Sequence, residues 1–454
     1  MLTEKTRDIL VLILVAGFVL LWNLWSGSLA SWDEAVYAQV SREILNSHNY
    51  LDLTWAGVRW SDKPPLYMWA TVVFYKLFGV NEFAARLFSA ICGLGTVIIT
   101  YLLSYSLYNS RRAAFSAALI LLSTWQFIWS SKVGMLDSSL TFFIALSIYL
   151  FKIGENKKIF LFFSALSFAC AFLTKGGGAI IIPIIIFIYL LCSKKLRLLG
   201  EPALLWGLAA AALILGIWHI MVFSSYGKGF VEGYIVKHLF TRTTQAVEGH
   251  TGNIFTYFKV LPNKGRPWGM FLFFVVPFTL WRVFSKKESA HILPIIWALT
   301  VFAVFSAVKT KLHWYIVPIY PAASILAGWV FASILKRSTF VVMPIAALAS
   351  LVYLIIARDI FNLDYNHDTK KLAMTIEDKI PNNAKIFLCD GDPAARFYFA
   401  PRRNDDWKDM KQEDIFKEPG RYALFNKRAL YDIKGINYSV VAEGENFVVV
   451  RTGR

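Results

Sequence analysis

Eleven stretches of this chain are apolar for long enough to approach the thickness of a bilayer, and that constrains the fold more than any motif. They fall roughly at 9–29, 83–106, 113–130, 138–151, 159–173, 179–192, 202–223, 267–284, 291–308, 314–334 and 339–357. The fourth to sixth are short and their limits soft. In hydrocarbon a segment must satisfy its own backbone hydrogen bonds, so such runs are read as helices. The sequence therefore predicts a polytopic α-helical membrane protein of about eleven transmembrane helices. Of the 454 residues, 57% are hydrophobic, far from a soluble domain. The net charge of +17 would alone suggest a nucleic-acid partner. Its placement in short clusters between apolar runs is instead how membrane topology is encoded, and no nucleic acid is expected. Ser28-Leu29-Ala30 resembles a cleavage site, but residues 9–29 are longer than a signal core and long enough to span. Cys92, Cys170, Cys192 and Cys389 have neither disulfide nor metal-motif spacing.

With these spans the loops alternate between two faces. One receives Arg111-Arg112, Lys152, Lys157-Lys158, Lys194-Lys195, Arg197, Arg282, Lys286-Lys287 and Lys336-Arg337 against three acids, Glu155, Glu201 and Glu288. The positive-inside rule makes this face cytoplasmic. The opposite, outer face receives 30–82, 131–137 (SKVGMLD), 174–178 (TKGGG), 224–266, 309–313 (KTKLH) and the tail after Arg358. Parity alone thus brings the chemically unusual loops together.

From 359 to 454 the long apolar runs stop. Short β-like runs lie at Ala384–Leu388, Tyr422–Phe425, Tyr438–Val441 and Phe447–Val450, with helical stretches near Thr369–Lys379 and Pro393–Phe399. The expected organisation is a membrane domain, 1–358, followed by a small outer α/β domain, 359–454.

Several outer loops carry candidate chemistry. Between Asp33 and Leu45, Val36, Tyr37, Val40, Ile44 and Leu45 fall at helical spacing, which predicts an amphipathic helix along the membrane surface. Ser31-x-x-Glu34 reads as a capping box, with Glu34 as a cap. Asp33 is a second carboxylate just beyond a span, and partial withdrawal from water makes a carboxylate a candidate general base. In Asp62-Lys63-Pro64-Pro65 the prolines hold Lys63 extended before a helix N-terminus. That suits an anion, phosphate above all, although a snorkelling lysine fits the same pattern. Asp137 opens a span and is either its N-cap or a functional acid. Lys175 precedes three glycines, which permit close backbone approach to a ligand or simply a tight turn. Lys237, His238, Arg242 and His250 cluster in loop 224–266, and Lys309, Lys311, His313 and Tyr315 lie between the ninth and tenth spans. Together these residues suggest a cationic, carboxylate-bearing cavity.

The ordered set Asp33-Glu34, KPPLYMW, FGVNEFAARLFSA, GMLDSSLTFF, FLTKGGGAIIIP and KLHWYIVPIYP resembles the GT-C membrane glycosyltransferases of the protein O-mannosyltransferase superfamily. Within it, the set is similar to lipid A 4-amino-4-deoxy-L-arabinose transferases. The resemblance covers residues 30 to about 325. It implies transfer of a sugar, with inversion, from a polyprenyl-phosphate carrier to an outer-face acceptor: lipid A, a surface glycan or a protein. By the resemblance Asp33 is the catalytic aspartate, Asp137 a second catalytic acid, and Lys63, Arg242, Tyr315 and Lys311 contacts for the carrier phosphate. It also implies that Asp62 and His238 can hold a zinc ion, although the family usually has glutamate at the position of Asp62. A transporter or flippase of lipid-linked sugars is the alternative; it would call for ionisable residues inside spans and often an inverted repeat, and His219 is the clearest such residue. A scaffold would leave the clustered loops without a role.

Overall fold

The computed structural model describes residues 3–454 except 32, 235, 237–251, 358–361, 382, 390–391, 403–411, 434 and 454. Each of the eleven apolar segments carries helix. Seven helical stretches are long and apolar enough to cross a membrane, or eight if one bent pair counts as a span. Two of the seven, Ile159–Cys192 and His313–Ile356, each hold two of the predicted segments.

Helix α1 (Glu4–Leu21) begins and ends earlier than the apolar pattern indicates. Its last carbonyls are taken by the buried Lys132, which donates to Val19 O at 3.3 Å and Trp22 O at 2.5 Å. Next come α2 (Asp33–Ser47), a two-stranded hairpin of Thr54–Trp55 (β1) and Val58–Arg59 (β2), and α3 (Leu66–Phe78). The long α4 (Glu82–Tyr108) starts where the Asn81 side chain accepts from the Ala84 amide and stops at Asn109, whose φ of 47° is left-handed. The 113–130 segment is two helices, α5 (Arg111–Leu122) and α6 (Trp125–Lys132), bent by 64°. Then follow α7 (Leu136–Gly154), α8 (Ile159–Lys175), α9 (Ile181–Cys192) and α10 (Pro202–Tyr226). After residue 251 lie α11 (Thr256–Lys264), α12 (Gly269–Lys286), α13 (Ile292–Ala307), α14 (Tyr320–Leu335) and α15 (Thr339–Ile356).

Helix α14 sits at the centre of the bundle, with Ala322, Ile325, Leu326 and Ala327 fully buried. Its closest approach is to α5: a Cβ on Gly328 would lie 2.5 Å from both Ala113 O and Ala117 N, so only glycine lets these backbones meet. Helix α10 is different. Leu205, Trp206, Leu213 and Ile220 are more than half exposed along it, the surface expected of a helix facing lipid.

Side-chain contacts sort the loops onto two ends of the bundle, as parity predicts. At the basic end, Arg111 pairs with Glu4 and Asp8, Lys152 and Lys195 both pair with Glu155, Lys158 with Glu201, and Arg282 with Glu288. The starts of α8 and α10 and the ends of α7 and α9 therefore lie together. Helices α8 and α9 run in opposite senses, reversing at Gly176, whose φ is 53°. At the other end gather the loops after α1, α3, α6 and α8, together with the C-terminal residues.

After 366 the chain forms α16 (His367–Thr375), α17 (Pro393–Phe399), α18 (Lys427–Asp432) and four strands, Ile386–Leu388 (β3), Tyr422–Asn426 (β4), Tyr438–Glu443 (β5) and Phe447–Thr452 (β6). All four β-like runs of the sequence are strands. The sheet order is β3-β4-β6-β5, with β3 and β4 parallel and the other pairs antiparallel. Alternation sends Leu424 and Val449 into one small core and Phe425, Val448 and Val450 into another.

Candidate active site

Helix α2 is not the lipid-surface helix that its pattern suggests. Tyr37, Val40 and Ile44 pack toward α3 on one side, and Ala35 and Ala38 are buried on the other. Asp33 is its first residue. Its carboxylate accepts the Tyr37 hydroxyl at 3.2 Å, and the Tyr37 ring is itself held against Trp60 and Tyr67. Burial, and then the negative charges of Asp33 and Asp137, push the Tyr37 phenol well above its ordinary value. Both carboxylates are therefore near one buried hydroxyl.

Glu34 is not the cap of a capping box. It is wholly buried in an ion pair with Arg86, Nε to Oε1 at 2.7 Å. It also accepts the amides of Ala30 at 2.6 Å and Gly134 at 2.9 Å. Gly134 packs tightly there: a Cβ would sit 3.1 Å from Glu34 Cγ and 3.3 Å from Ala85 O. Arg86 further donates to the carbonyls of Leu24, Ser26, Ser28 and Leu363, so one side chain joins the segment after α1, α2, α4 and the start of the C-terminal residues. Sequence reading missed this hub. Its only local signal is an arginine inside an otherwise apolar helix, within the FGVNEFAARLFSA motif.

A cavity of about 180 Å³ opens between α3, α7, α8 and the 304–315 region. Its polar wall is Asp62, Lys63, Asp137, Lys175 and Tyr315, and its apolar wall includes Leu140, Ile181, Val304 and Phe305. Asp137 is not an N-cap: Met135 holds that position, and the Asp137 carboxylate accepts Lys175 Nζ at 2.6 Å. Lys175 also lies over the Tyr315 ring, 4.8 Å from its centroid. The glycines that follow it line the same cavity, which is the close-approach reading of that turn. Lys63 stands just ahead of α3, as the prolines predict, and the charges of Lys63 and Asp33 both act on Asp137. Asp33 is not part of the cavity wall itself.

Lys311 belongs elsewhere. Its ammonium donates to Phe305 O at 2.9 Å, Ser306 O at 2.6 Å and Val308 O, which uses all three of its protons at the end of α13. Burial, then Lys309, lowers it from its ordinary value. It caps a helix and is not placed to meet a ligand in this cavity. Lys311→Met is accordingly expected to cost about 1–2 kcal/mol of stability while leaving ligand affinity in the cavity unchanged; thermal unfolding and substrate titration of the variant check this. Arg242 and His238 lie outside the described residues. Asp62 is thus the one described member of the suggested zinc pair, and no three His, Cys, Asp or Glu side chains converge among the described residues. No step below is routed through a metal.

The fold and this cavity define a class: a polytopic membrane protein with a cationic, carboxylate-bearing site at one end of its bundle. Residues 10–244 match the family described as dolichyl-phosphate-mannose-protein mannosyltransferase, and the chain belongs to that family. It is 31% identical over 331 residues to an uncharacterized protein of Aquifex aeolicus, covering 72% of this chain and 63% of the relative. It is 27% identical over 377 residues to the undecaprenyl phosphate-alpha-4-amino-4-deoxy-L-arabinose arabinosyl transferase 2 of Pseudomonas fluorescens, covering 78% and 63%. The chain thus spans less than two thirds of the length of either relative. Its fold is shared with ArnT from Cupriavidus metallidurans bound to undecaprenyl phosphate, at a TM-score of 0.81, 19% identity and 98% coverage of both chains. The GT-C architecture that the motifs resemble is the architecture found.

Proposed function

We propose that the protein is an inverting glycosyltransferase that moves a sugar from a polyprenyl-phosphate carrier to an acceptor on the extracytoplasmic side of the membrane. The observation that carries this reading is the convergence of Lys63, Lys175 and Tyr315 with Asp62 and Asp137 around one cavity at the end of a membrane bundle. In this reading residues 1–358 carry the chemistry, and the relatives that use undecaprenyl phosphate suggest the carrier.

The acceptor oxygen attacks the anomeric carbon from the face opposite the carrier. The bond from that carbon to the phosphate oxygen breaks, and its electron pair leaves with the phosphate. The growing negative charge falls beside Lys63 and Lys175, whose positions are set before the reaction in a largely dry site. Asp137 holds Lys175 in place through their 2.6 Å pair. The acceptor proton goes to Asp33, whose described partner is a neutral hydroxyl and not a cation.

Membranes containing the protein should transfer label from undecaprenyl-phosphate-linked 4-amino-4-deoxy-L-arabinose, or from another polyprenyl-phosphate sugar in a donor screen, to an envelope lipid, glycan or protein. Lys63→Ala should lower kcat/KM about 10-fold or more, the loss expected for one hydrogen bond to a charged group, with kcat itself falling because the leaving phosphate loses that support as its charge grows. No transfer from any donor in the screen would overturn the reading.

A further inference from the structure

We infer that the C-terminal residues act as a backstop for α2, and that helix α17 sets how far Asp33 reaches toward the cavity. This rests on the transferase reading, in which Asp33 takes the acceptor proton. On a helix of 3.6 residues per turn, Asp33, Tyr37, Val40 and Ile44 share one face, and Ala35, Ala38 and Arg42 point about 180° away. The first face meets an aromatic wall that includes Trp60 and Tyr67. The second meets α17: Ala35 and Ala38 share a buried cluster with Ala394 and Phe397. The two alanines let α17 come close, and polar contacts lock the fit. Arg42 donates to Phe397 O at 2.6 Å, with its guanidinium 4.1 Å over the Phe397 ring.

The approach to α2 is held by the same unit. Ser31, two residues before Asp33, donates to Asp392 at 2.9 Å, just ahead of α17. Tyr398 donates to Glu82 at 3.0 Å and accepts the Leu29 amide at 2.7 Å. Glu82 in turn pairs with Lys370 at 2.6 Å, and Lys370 also donates to Gly27 O at 2.7 Å. The chain entering α2, the rear of α2 and the start of α4 are thus fastened to residues far along the chain, between Lys370 and Tyr398. None of these side chains lines the cavity. They are positioning residues, acting on the reaction through the placement of Asp33.

The variants Arg42→Ala and Tyr398→Phe test this in the full-length protein. Both should lower kcat about 10- to 100-fold, since a misplacement of order 1 Å in a catalytic group costs that much. The donor KM should stay within about twofold, because Lys63 and Lys175 do not move. Arg42→Lys, which keeps a cation over the ring and a donor to Phe397 O, should recover most of the rate. Hydrogen–deuterium exchange across residues 33–47 should quicken in both lossy variants. Unchanged kcat in both, or a raised KM at unchanged kcat, would overturn the inference. Tyr398→Phe removes one hydroxyl, which guards against reading misfolding as mispositioning. Should the wild type transfer no sugar from any donor, the transferase reading fails by itself. The exchange experiment then decides the backstop alone: faster exchange keeps it and unchanged exchange overturns it.

Discussion

Asp33→Asn should cut sugar transfer by about 10²- to 10⁴-fold, the range a general base contributes, while leaving the protein folded and the donor KM near its wild-type value. The substitution is close to isosteric. Asparagine can still accept the Tyr37 hydroxyl that meets Asp33 Oδ1 at 3.2 Å, so α2 keeps its seat. What it cannot do is take a proton from the attacking acceptor. Asp137→Asn provides the contrast. It leaves the Lys175 ammonium without its 2.6 Å carboxylate partner beside the cavity, so donor binding and rate should change together. Initial rates at several donor concentrations separate the two patterns. Transfer by Asp33→Asn at the wild-type rate would remove Asp33 as the base.

Arg86→Leu should destabilise the protein by about 3–5 kcal/mol, the cost of breaking a buried ion pair from one side. Arginine places all its donors here: one on the Glu34 carboxylate at 2.7 Å and others on the carbonyls of Leu24, Ser26, Ser28 and Leu363 at 2.8–3.2 Å. Leucine leaves four carbonyls without these donors and a carboxylate supported only by the amides of Ala30 and Gly134. Glu34→Gln should cost less. It keeps an acceptor for Arg86, which retains its four carbonyls, although an uncompensated cation remains. Unfolding temperature and folded yield after extraction rank the two variants. A smaller loss for Arg86→Leu than for Glu34→Gln would show that the carbonyl contacts contribute little.

Much of this architecture was legible in the chain itself. Helix and strand positions follow from periodicity and from Gly, Pro and Asn signals within a few residues, which is why the four strands after 384 and the helix at Pro393–Phe399 could be placed. Loop charge is as local a property, so parity sorted the basic and the chemically unusual loops onto opposite ends. Asp62, Lys63, Asp137 and Tyr315, which loop parity placed on one face, line one cavity.

Two of the misreadings share one cause. Glu34 fits a capping box and α2 fits a surface helix when only neighbours in sequence are considered. Each was decided by a distant partner: Arg86 for Glu34 and α17 for α2. Lys311 differs, since the resemblance made it a phosphate ligand and carbonyls three to six residues before it take its protons. Lys175, weighed only as a residue before a glycine turn, became the partner of Asp137 once α7 and α8 packed side by side.

The sequence by itself determined that the chain crosses the membrane many times and which loops share an end. Tertiary structure alone decided which buried charge meets which. Periodicity and loop charge are summed along the chain, whereas an ion pair depends on a separation of a few ångströms between helices that the pattern leaves free to rotate and slide.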